Sequence, residues 1–385
     1  MDRRSFLLGT ASLAISQLLI GCGPNNQAKL NVQLLKGSIP GQIVGKFRKS
    51  VQQGVQLKLS PVGQLQDLFK QLQTWQDSQK PKDNQGWNIS IPFVTPQQTP
   101  VADLVTLGDY WLQNAIEKKL IQPLEEAQLK KLQHWSALPK RWQELVRRND
   151  QGKIDAQGKV WAAPYRWGNT VIVYRRDKFQ ELGWTPKDWG DLWRSELRDR
   201  ISLVDQPREV IGLVLKKLGK SYNTENIDKI PELKKELQAL NQQVKFYSSN
   251  RYIEPLIIGD TWLAVGWSND VVPVLGRYPQ QLAAVVPQSG TALWADLWVR
   301  PARGKPDVLS EWIDFCWRPD IAKQISLITK TNSPIATNIA ASDIPEPLQN
   351  LLLNNSEVFS KSEFLLPLSQ NVTKQYDSLF NEVKG

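Results

Sequence analysis

Short apolar segments alternate with amphipathic helical patterns along the first third of the chain, and this order constrains the fold more than any other feature. The periodicity predicts strands at 30–35, 55–59 and 102–107, followed by helices at 43–50, 65–75 and 110–119. Repeated strand–helix units are typical of a parallel sheet covered by helices. We therefore expect an α/β protein, and 385 residues are enough for two domains.

Three further segments carry weaker local signals. The pattern predicts one long helix over 129–148. It also predicts two strands, at 160–163 and 170–174, on either side of a turn at 164–168 that contains Pro and Gly. Residues 80–100 are rich in Pro, Gln, Asn and Gly and are predicted to form an inserted loop.

Residues 1–21 are predicted to be a signal peptide. Arg3 and Arg4 precede an apolar run that is too short to span a bilayer and that ends in a Gly–Cys pair at Cys22. This arrangement resembles the export signal of bacterial lipoproteins. We expect cleavage before Cys22, lipid attachment at its sulfur and a short tether over 22–28. The protein would then be anchored on the outer face of the bacterial membrane, in the periplasm.

The residues available for chemistry exclude several kinds of site. One His, His134, and two Cys cannot build a His-rich metal site or a four-Cys zinc site. If Cys22 is acylated, Cys316 has no partner for a disulfide. The segment 219–221 is Gly-Lys-Ser, but Val214 replaces the first Gly of a phosphate-binding loop. We expect no catalysis, no cofactor and no metal.

Nucleic acid is also not expected as a partner, although the net charge is +10. The sequence has no basic cluster with interleaved aromatic residues, and the export signal directs the chain out of the cytoplasm.

Several ordered blocks of the mature chain point to a function. They lie at 103–110, at 164–170 (Pro-Tyr-Arg-Trp-Gly-Asn-Thr), at 205–210, at 266–270 (Gly-Trp-Ser-Asn-Asp), at 286–296 and at 312–325. In this order the blocks resemble those of bacterial extracellular solute-binding proteins of the spermidine/putrescine transport class. The resemblance covers most of the mature chain.

The resemblance implies a two-lobed periplasmic-binding-protein fold of type II, in which each lobe is a mixed, mostly parallel sheet flanked by helices. The implied organisation is lobe 1 at 29–168 and 295–338, lobe 2 at 171–292 and 339–385, and hinge crossings near 168–171, 291–295 and 338–341. Ligand binding would close the lobes, and the permease subunits of an ABC importer would recognise the closed form. We expect a monomer.

Matched motif by motif, the resemblance also implies a ligand site for a polyamine or a similar small organic cation. Tyr110, Trp267 and Trp294 would be its aromatic walls. Glu209 and Asp296 would be its anionic partners. The physical logic is consistent, because buried ammonium groups need carboxylates and their methylene chains suit aromatic faces.

The chain departs from the family pattern at the ends of this site. Ser38 lies where the family's first strand ends in a Trp and Tyr clamp, and Gln206 stands where an acidic residue is expected. Thr331 replaces an expected Tyr. Ser38 and Gln206 are still expected to face the ligand. The departures are consistent with a ligand that is shorter than a polyamine, less charged or different altogether. Arg166 is interpreted as part of the hinge.

Two alternatives stay open at this point. The same fold could bind a thiamine-like or amino-acid-like ligand, because two Trp and two acids suit many organic cations. The chain could also be an envelope lipoprotein without a role in transport, since the first-strand motif is altered. For a hydrolase the sequence has no positive evidence.

Overall fold

A computed structural model of the protein describes residues 28–51, 55–78, 100–304, 308–353 and 355–385. The predicted signal peptide, the predicted lipidation site Cys22 and nearly all of the predicted loop at 80–100 lie outside these ranges. Within the described ranges, no helix is long and apolar enough to cross a membrane.

The described residues contain thirteen strands that follow the predicted alternation with helices. They are β1 (Lys29–Leu35), β2 (Gln56–Val62), β3 (Leu104–Gly108), β4 (Ile121–Gln122), β5 (Arg147–Arg148), β6 (Lys159–Val160), β7 (Ala162–Arg175), β8 (Ile201–Leu203), β9 (Val244–Tyr247), β10 (Leu263–Trp267), β11 (Leu282–Val285), β12 (Ala292–Pro301) and β13 (Glu363–Phe364).

The same part of the chain contains fifteen α-helices. They are α1 (Gly41–Ser50), α2 (Leu65–Asp77), α3 (Leu112–Glu117), α4 (Glu126–Leu129), α5 (Lys140–Val146), α6 (Arg176–Leu182), α7 (Pro207–Lys217), α8 (Glu232–Asn241), α9 (Glu254–Ile258), α10 (Ser268–Arg277), α11 (Leu309–Trp317), α12 (Pro319–Thr329), α13 (Glu346–Leu352), α14 (Ser356–Lys361) and α15 (Gln370–Lys384).

The strands form a mixed sheet in the order β2-β1-β3-β12-β7-β10-β8-β9. The pairs β2–β1 and β1–β3 are parallel, as are β10–β8 and β8–β9. Between these two parallel groups lie β12 and β7, which pair antiparallel with each other and with their outer neighbours. The predicted α/β class is confirmed.

The two central strands, β7 and β12, connect the two parallel groups. The first half of β7 pairs with β12 from Ala162 to Asn169, and its second half pairs with β10 from Thr170 to Tyr174. The strand is therefore shared by both halves of the sheet. The lobe boundaries and hinge positions given above remain predictions.

The predicted turn at 164–168 is wrong, because these residues lie inside the continuous strand β7. Pro164 has no N–H to donate, and it lies at an irregularity of the β7–β12 pairing opposite Leu297. Gly168 is required for a different reason, since a Cβ there would collide with the ring of Trp294 and the hydroxyl of Ser268. Both residues serve strand packing and not a turn.

The predicted helix over 129–148 is also wrong. The structure has α4, a 3-10 turn at Trp135–Ala137, the separate helix α5 and then β5. Leu138 is extended, and Pro139 follows it immediately before α5. A residue that precedes proline is kept out of the helical region, so the helix restarts here.

The buried apolar side chains form three clusters. One packs around β1, β3, the first half of β7, and helices α1, α2, α11 and α12. The other two pack around the second group of strands, with α7, α8 and α15 in one cluster and α10 and α13 in the other. Helices therefore flank the strands in both halves of the sheet.

Candidate functional site

One face of β7 carries the residues around which the candidate site is built. Side chains alternate along a strand, so Arg166, Gly168 and Thr170 point to the same face. Arg166 and Thr170 are separated by four residues, or about 13 Å along the strand. Gly168 lies between them and leaves room for a large side chain above it.

The neighbouring strands place three of the predicted ligand residues on this face. Directly opposite partners share a face of the sheet, and the register pairs Asp296 with Arg166, Trp294 with Gly168, and Trp267 with Thr170. Asp296, Trp294 and Trp267 are therefore brought together along one surface, which we call the crossing face. It consists of these three residues with Arg166, Gly168 and Thr170.

Glu209 reaches this surface from the first turn of α7, which begins at Pro207. Its Oε2 accepts a hydrogen bond of 3.0 Å from the hydroxyl of Thr170, and its Oε1 accepts one of 2.8 Å from the indole N–H of Trp267. The residue is 6% exposed. Two neutral donors thus hold a buried carboxylate between the two halves of the sheet.

The charge of Glu209 is compensated only at longer range. Burial raises the pKa of Glu209, while the hydrogen bonds from Trp267 and Thr170 and the charge of Arg208 oppose the rise. Arg208 itself donates to the backbone carbonyls of Leu366 and Tyr222 and to a side-chain oxygen. Among the described residues, none forms an ion pair with Glu209 within 4 Å.

Asp296 has a direct cationic partner. Its Oδ2 lies 2.5 Å from Nε of Arg166, and the two side chains are 1% and 7% exposed. Burial raises the pKa of Asp296, and the guanidinium opposes that rise. Burial lowers the pKa of Arg166, but the charge of Asp296, the neighbouring Tyr165 and the hydrogen bonds to both side chains together leave that pKa above the usual arginine value.

A second acid lies next to this ion pair. Oδ1 of Asp109, directly after β3, accepts a hydrogen bond of 2.9 Å from the backbone N–H of Ala295. Burial raises the pKa of Asp109 to about 7, the nearby charge of Asp296 adds to the rise, and Arg148 opposes it. Asp109 was not predicted as a site residue. Its position at the end of a buried strand was the available signal.

The two tryptophans of the crossing face are held differently. The backbone N–H of Trp267 donates to the hydroxyl of Tyr252 at 3.1 Å, and its indole N–H binds Glu209. The ring of Trp294 lies against Gly168, and its centroid is 6.0 Å from the guanidinium carbon of Arg166. The indole nitrogen of Trp294 has no protein partner among the described residues.

The remaining predicted residues lie at the margins. Tyr110 is 51% exposed, and its hydroxyl is close enough to Arg208 on α7 to influence the pKa of that arginine. Ser38 is fully buried beside the hydroxyl of Tyr165. Gln206 is exposed and donates to the hydroxyl of Ser249 at 3.1 Å. The structure therefore does not bring Ser38 and Gln206 onto the crossing face.

The opposite face of β7 has a different character. Trp167 points there, next to a cavity of about 410 Å³ that is also lined by Trp142, Phe359 and residues 332–339. This cavity contains none of the predicted ligand residues. The charged and hydrogen-bonding groups are on the crossing face instead, and we place the candidate site there.

A profile of the bacterial extracellular solute-binding proteins matches residues 99–355. The spermidine/putrescine-binding periplasmic protein of Salmonella typhimurium is 26% identical over 266 residues, which are 68% of this chain and 72% of that protein. The putrescine-binding periplasmic protein PotF of Escherichia coli is 28% identical over 239 residues, 58% of this chain and 62% of the relative.

Solved structures show the same likeness at the level of the fold. The spermidine/putrescine ABC transporter substrate-binding protein PotD from Streptococcus pneumoniae superposes with a TM-score of 0.75 at 20% identity. The match covers 93% of this chain and 99% of that one. The predicted periplasmic-binding-protein fold is confirmed by this likeness.

Proposed function

The chain belongs to the bacterial extracellular solute-binding proteins, and from this membership we propose that it is the substrate-binding protein of an ABC importer for a polyamine or a similar small organic cation. Support comes from curated relatives that are named for binding spermidine and putrescine. The protein would act by binding and release, without catalysis. The permease subunits of the importer would be its protein partners.

The observation that carries this proposal is the environment of Glu209. Its carboxylate is buried, accepts hydrogen bonds from two neutral donors, and has no ion-pair partner among the described residues. An unpaired buried carboxylate is costly, and an organic ammonium group would compensate its charge. The ring of Trp267, which holds one carboxylate oxygen, would offer an aromatic face to the same cation.

Closure of two lobes around the ligand is part of the proposal. The strands β7 and β12 are shared by both halves of the sheet, which supports a bending movement at the predicted crossings near 168–171 and 291–295. Closure would exclude water from the crossing face, and a cation bound there would interact more strongly with Glu209.

We also propose that the protein is a periplasmic lipoprotein, anchored through Cys22. The relatives named above are periplasmic, and the sequence motif at Cys22 supports the anchor. Metabolic labelling with a radioactive fatty acid tests this directly. The wild-type chain should become labelled and Cys22→Ala should not, while Cys316→Ala, which changes the other thiol, should leave labelling intact.

Calorimetric titration tests the proposed ligand class. The full-length protein, purified in a mild non-ionic detergent, is titrated with putrescine, spermidine and spermine, and with thiamine as a cation of different shape. We expect binding of a linear amine and no comparable heat with thiamine. A folded protein that binds thiamine and none of the linear amines would contradict the proposed ligand class.

A further inference from the structure

The two acids of the crossing face offer a cation two different environments. Glu209 is held by a hydroxyl and an indole N–H, which carry no net charge. Asp296 is held by the guanidinium of Arg166 at 2.5 Å. A ligand that extends along β7 between Glu209 and Asp296 therefore meets a carboxylate without a direct cationic partner at the Glu209 end. At the Asp296 end each acid has a cationic neighbour, Arg166 for Asp296 and Arg148 for Asp109.

A second ammonium group has no favourable place at Asp296. It would approach a carboxylate whose charge is already compensated, and Arg166 would be next to it with the same sign of charge. Removing that ammonium from water without a free counter-charge is unfavourable. The pair is almost completely buried, so solvent does little to screen the repulsion.

Arg166 changes what this end of the site can recognise. A guanidinium has five N–H donors. Asp296 accepts the one on Nε, and the side chain of Tyr165 also interacts with the guanidinium. The guanidinium also lies 6.0 Å from the ring centroid of Trp294, which covers the middle of the crossing face above Gly168. An arginine in this place suits a hydrogen-bond acceptor such as an amide oxygen or a carboxylate.

We propose that Arg166 is a specificity-determining residue, and that the ligand is a linear molecule with one ammonium group for Glu209 and a terminal hydrogen-bond acceptor for the Arg166 end. Acylated diamines and ω-amino acids have this chemistry. The inference rests on the proposed function, because it narrows the proposed ligand class to molecules with a single ammonium group.

Three ligands of similar length separate the possibilities. Putrescine has two ammonium groups, N-acetylputrescine has one ammonium and an amide, and 5-aminovalerate has one ammonium and a carboxylate. Calorimetric titration of the full-length protein in mild detergent should give at least about tenfold tighter binding for one of the two single-ammonium ligands than for putrescine. Whichever of N-acetylputrescine and 5-aminovalerate binds more tightly shows whether the acceptor recognised at the Arg166 end is a neutral amide or a carboxylate.

The outcomes distinguish the inference from the proposed function. If putrescine binds as tightly as both single-ammonium ligands or more tightly, the inference is overturned and the proposed function stands. If none of these three ligands, nor spermidine or spermine, binds to a protein shown to be folded, both are overturned.

Variants at the ion pair add a second, independent readout. Arg166→Leu frees the Asp296 carboxylate and should shift the preference toward putrescine by about tenfold. Since this variant leaves a buried charge unpaired, the double variant Arg166→Gln with Asp296→Asn provides a neutral replacement of similar shape. In this double variant, the ratio of the affinity for the preferred single-ammonium ligand to the affinity for putrescine should fall toward one. An unchanged preference in the folded double variant would overturn the role of Arg166.

Discussion

The two sides of the crossing face use the same chemical group in opposite ways. Asp296, on the strand β12, is neutralised by the arginine directly opposite it on β7. Glu209, on the helix α7, is held by the Thr170 hydroxyl and by an indole N–H and has no cationic partner within 4 Å among the described residues. One carboxylate is therefore part of the framework, and the other is available to a ligand.

This difference follows from what each element places opposite the acid. Strand pairing puts position 166 against Asp296, so a guanidinium there reaches the carboxylate by register alone. Glu209 reaches the same face from a helix, and its hydrogen-bond donors in the described part of the chain, Thr170 and Trp267, are uncharged. A single side chain on β7 thus decides whether the site has one anionic end or two.

The largest expected effect is on stability, and it should separate the two acids. Asp296→Asn leaves the Arg166 guanidinium buried without its charge partner, so the free energy of unfolding should fall by about 3–5 kcal/mol. Glu209→Gln removes a carboxylate that has no ion-pair partner among the described residues, and the free energy of unfolding of this variant should change by less than about 1 kcal/mol. Urea denaturation followed by tryptophan fluorescence measures both. Equal losses in the two variants would contradict the comparison.

Ligand binding should depend on the acids in the reverse way. Glu209→Gln removes the charge that compensates the ammonium group, so affinity for the preferred amine should fall by about 2 kcal/mol or more, roughly thirtyfold. The matched control is Glu232→Gln on the exposed start of α8, which should bind as the wild type does. Calorimetric titration measures the ligand affinity of both variants. An unchanged affinity in Glu209→Gln would rule out this carboxylate as the cation partner.

The pH dependence of stability should reveal the other acid on the Asp296 side. Burial raises the pKa of Asp109 to about 7, from an ordinary value of 3.8. At pH values between these two pKa values, the Asp109 carboxyl group is protonated in the folded state and ionised in the unfolded state. Stability attributable to Asp109 therefore falls as pH rises from about 4 to 7, by up to about 1.4 kcal/mol per pH unit.

Asp109→Asn should remove this contribution while keeping an oxygen for the Ala295 N–H. The difference in unfolding free energy between variant and wild type should grow from pH 4.5 to pH 7 in favour of the variant, and then level off. Urea midpoints at four pH values measure it. Parallel pH profiles for the two proteins would show that Asp109 does not titrate in this window.

Much of the fold could be predicted because the apolar residues of each early strand and helix follow the spacing of a buried face. The apolar spacing of α1 and α2 and the short runs in β1 and β3 are local signals. The strand β7 could not be predicted in one piece, because its Pro and Gly are typical of turns. Their actual roles depend on Leu297 and Trp294, which lie about 130 residues later in the chain.

The candidate site could be predicted only in part, because some of its contacts also depend on residues that are distant in the sequence. Motif resemblance predicts Glu209, Trp267, Trp294 and Asp296 as ligand residues, and the structure places these four on or against one face. An arginine inside an apolar strand needs an acidic partner, so Arg166 did carry a signal. It could not indicate which of the 38 acidic residues is that partner, because strand register decides this.

The smallest expected effect tests how Trp267 supports Glu209. Trp267→Phe keeps an aromatic face but removes the indole N–H that donates to the carboxylate at 2.8 Å. Loss of one hydrogen bond to a charged group should weaken ligand affinity by about 1–1.5 kcal/mol, roughly tenfold. Trp294→Phe is the matched control, since that indole nitrogen has no protein partner among the described residues.

The same variant should move the pH dependence of binding. Burial already raises the pKa of Glu209, and the indole N–H is the strongest of the groups that lower it. Without that donor the carboxyl group protonates at a higher pH, so the loss of cation binding on acidification should begin at a higher pH in Trp267→Phe. In Trp294→Phe the onset should match the wild type. Coincident pH profiles for all three proteins would show that the hydrogen bond does not maintain the charge of Glu209.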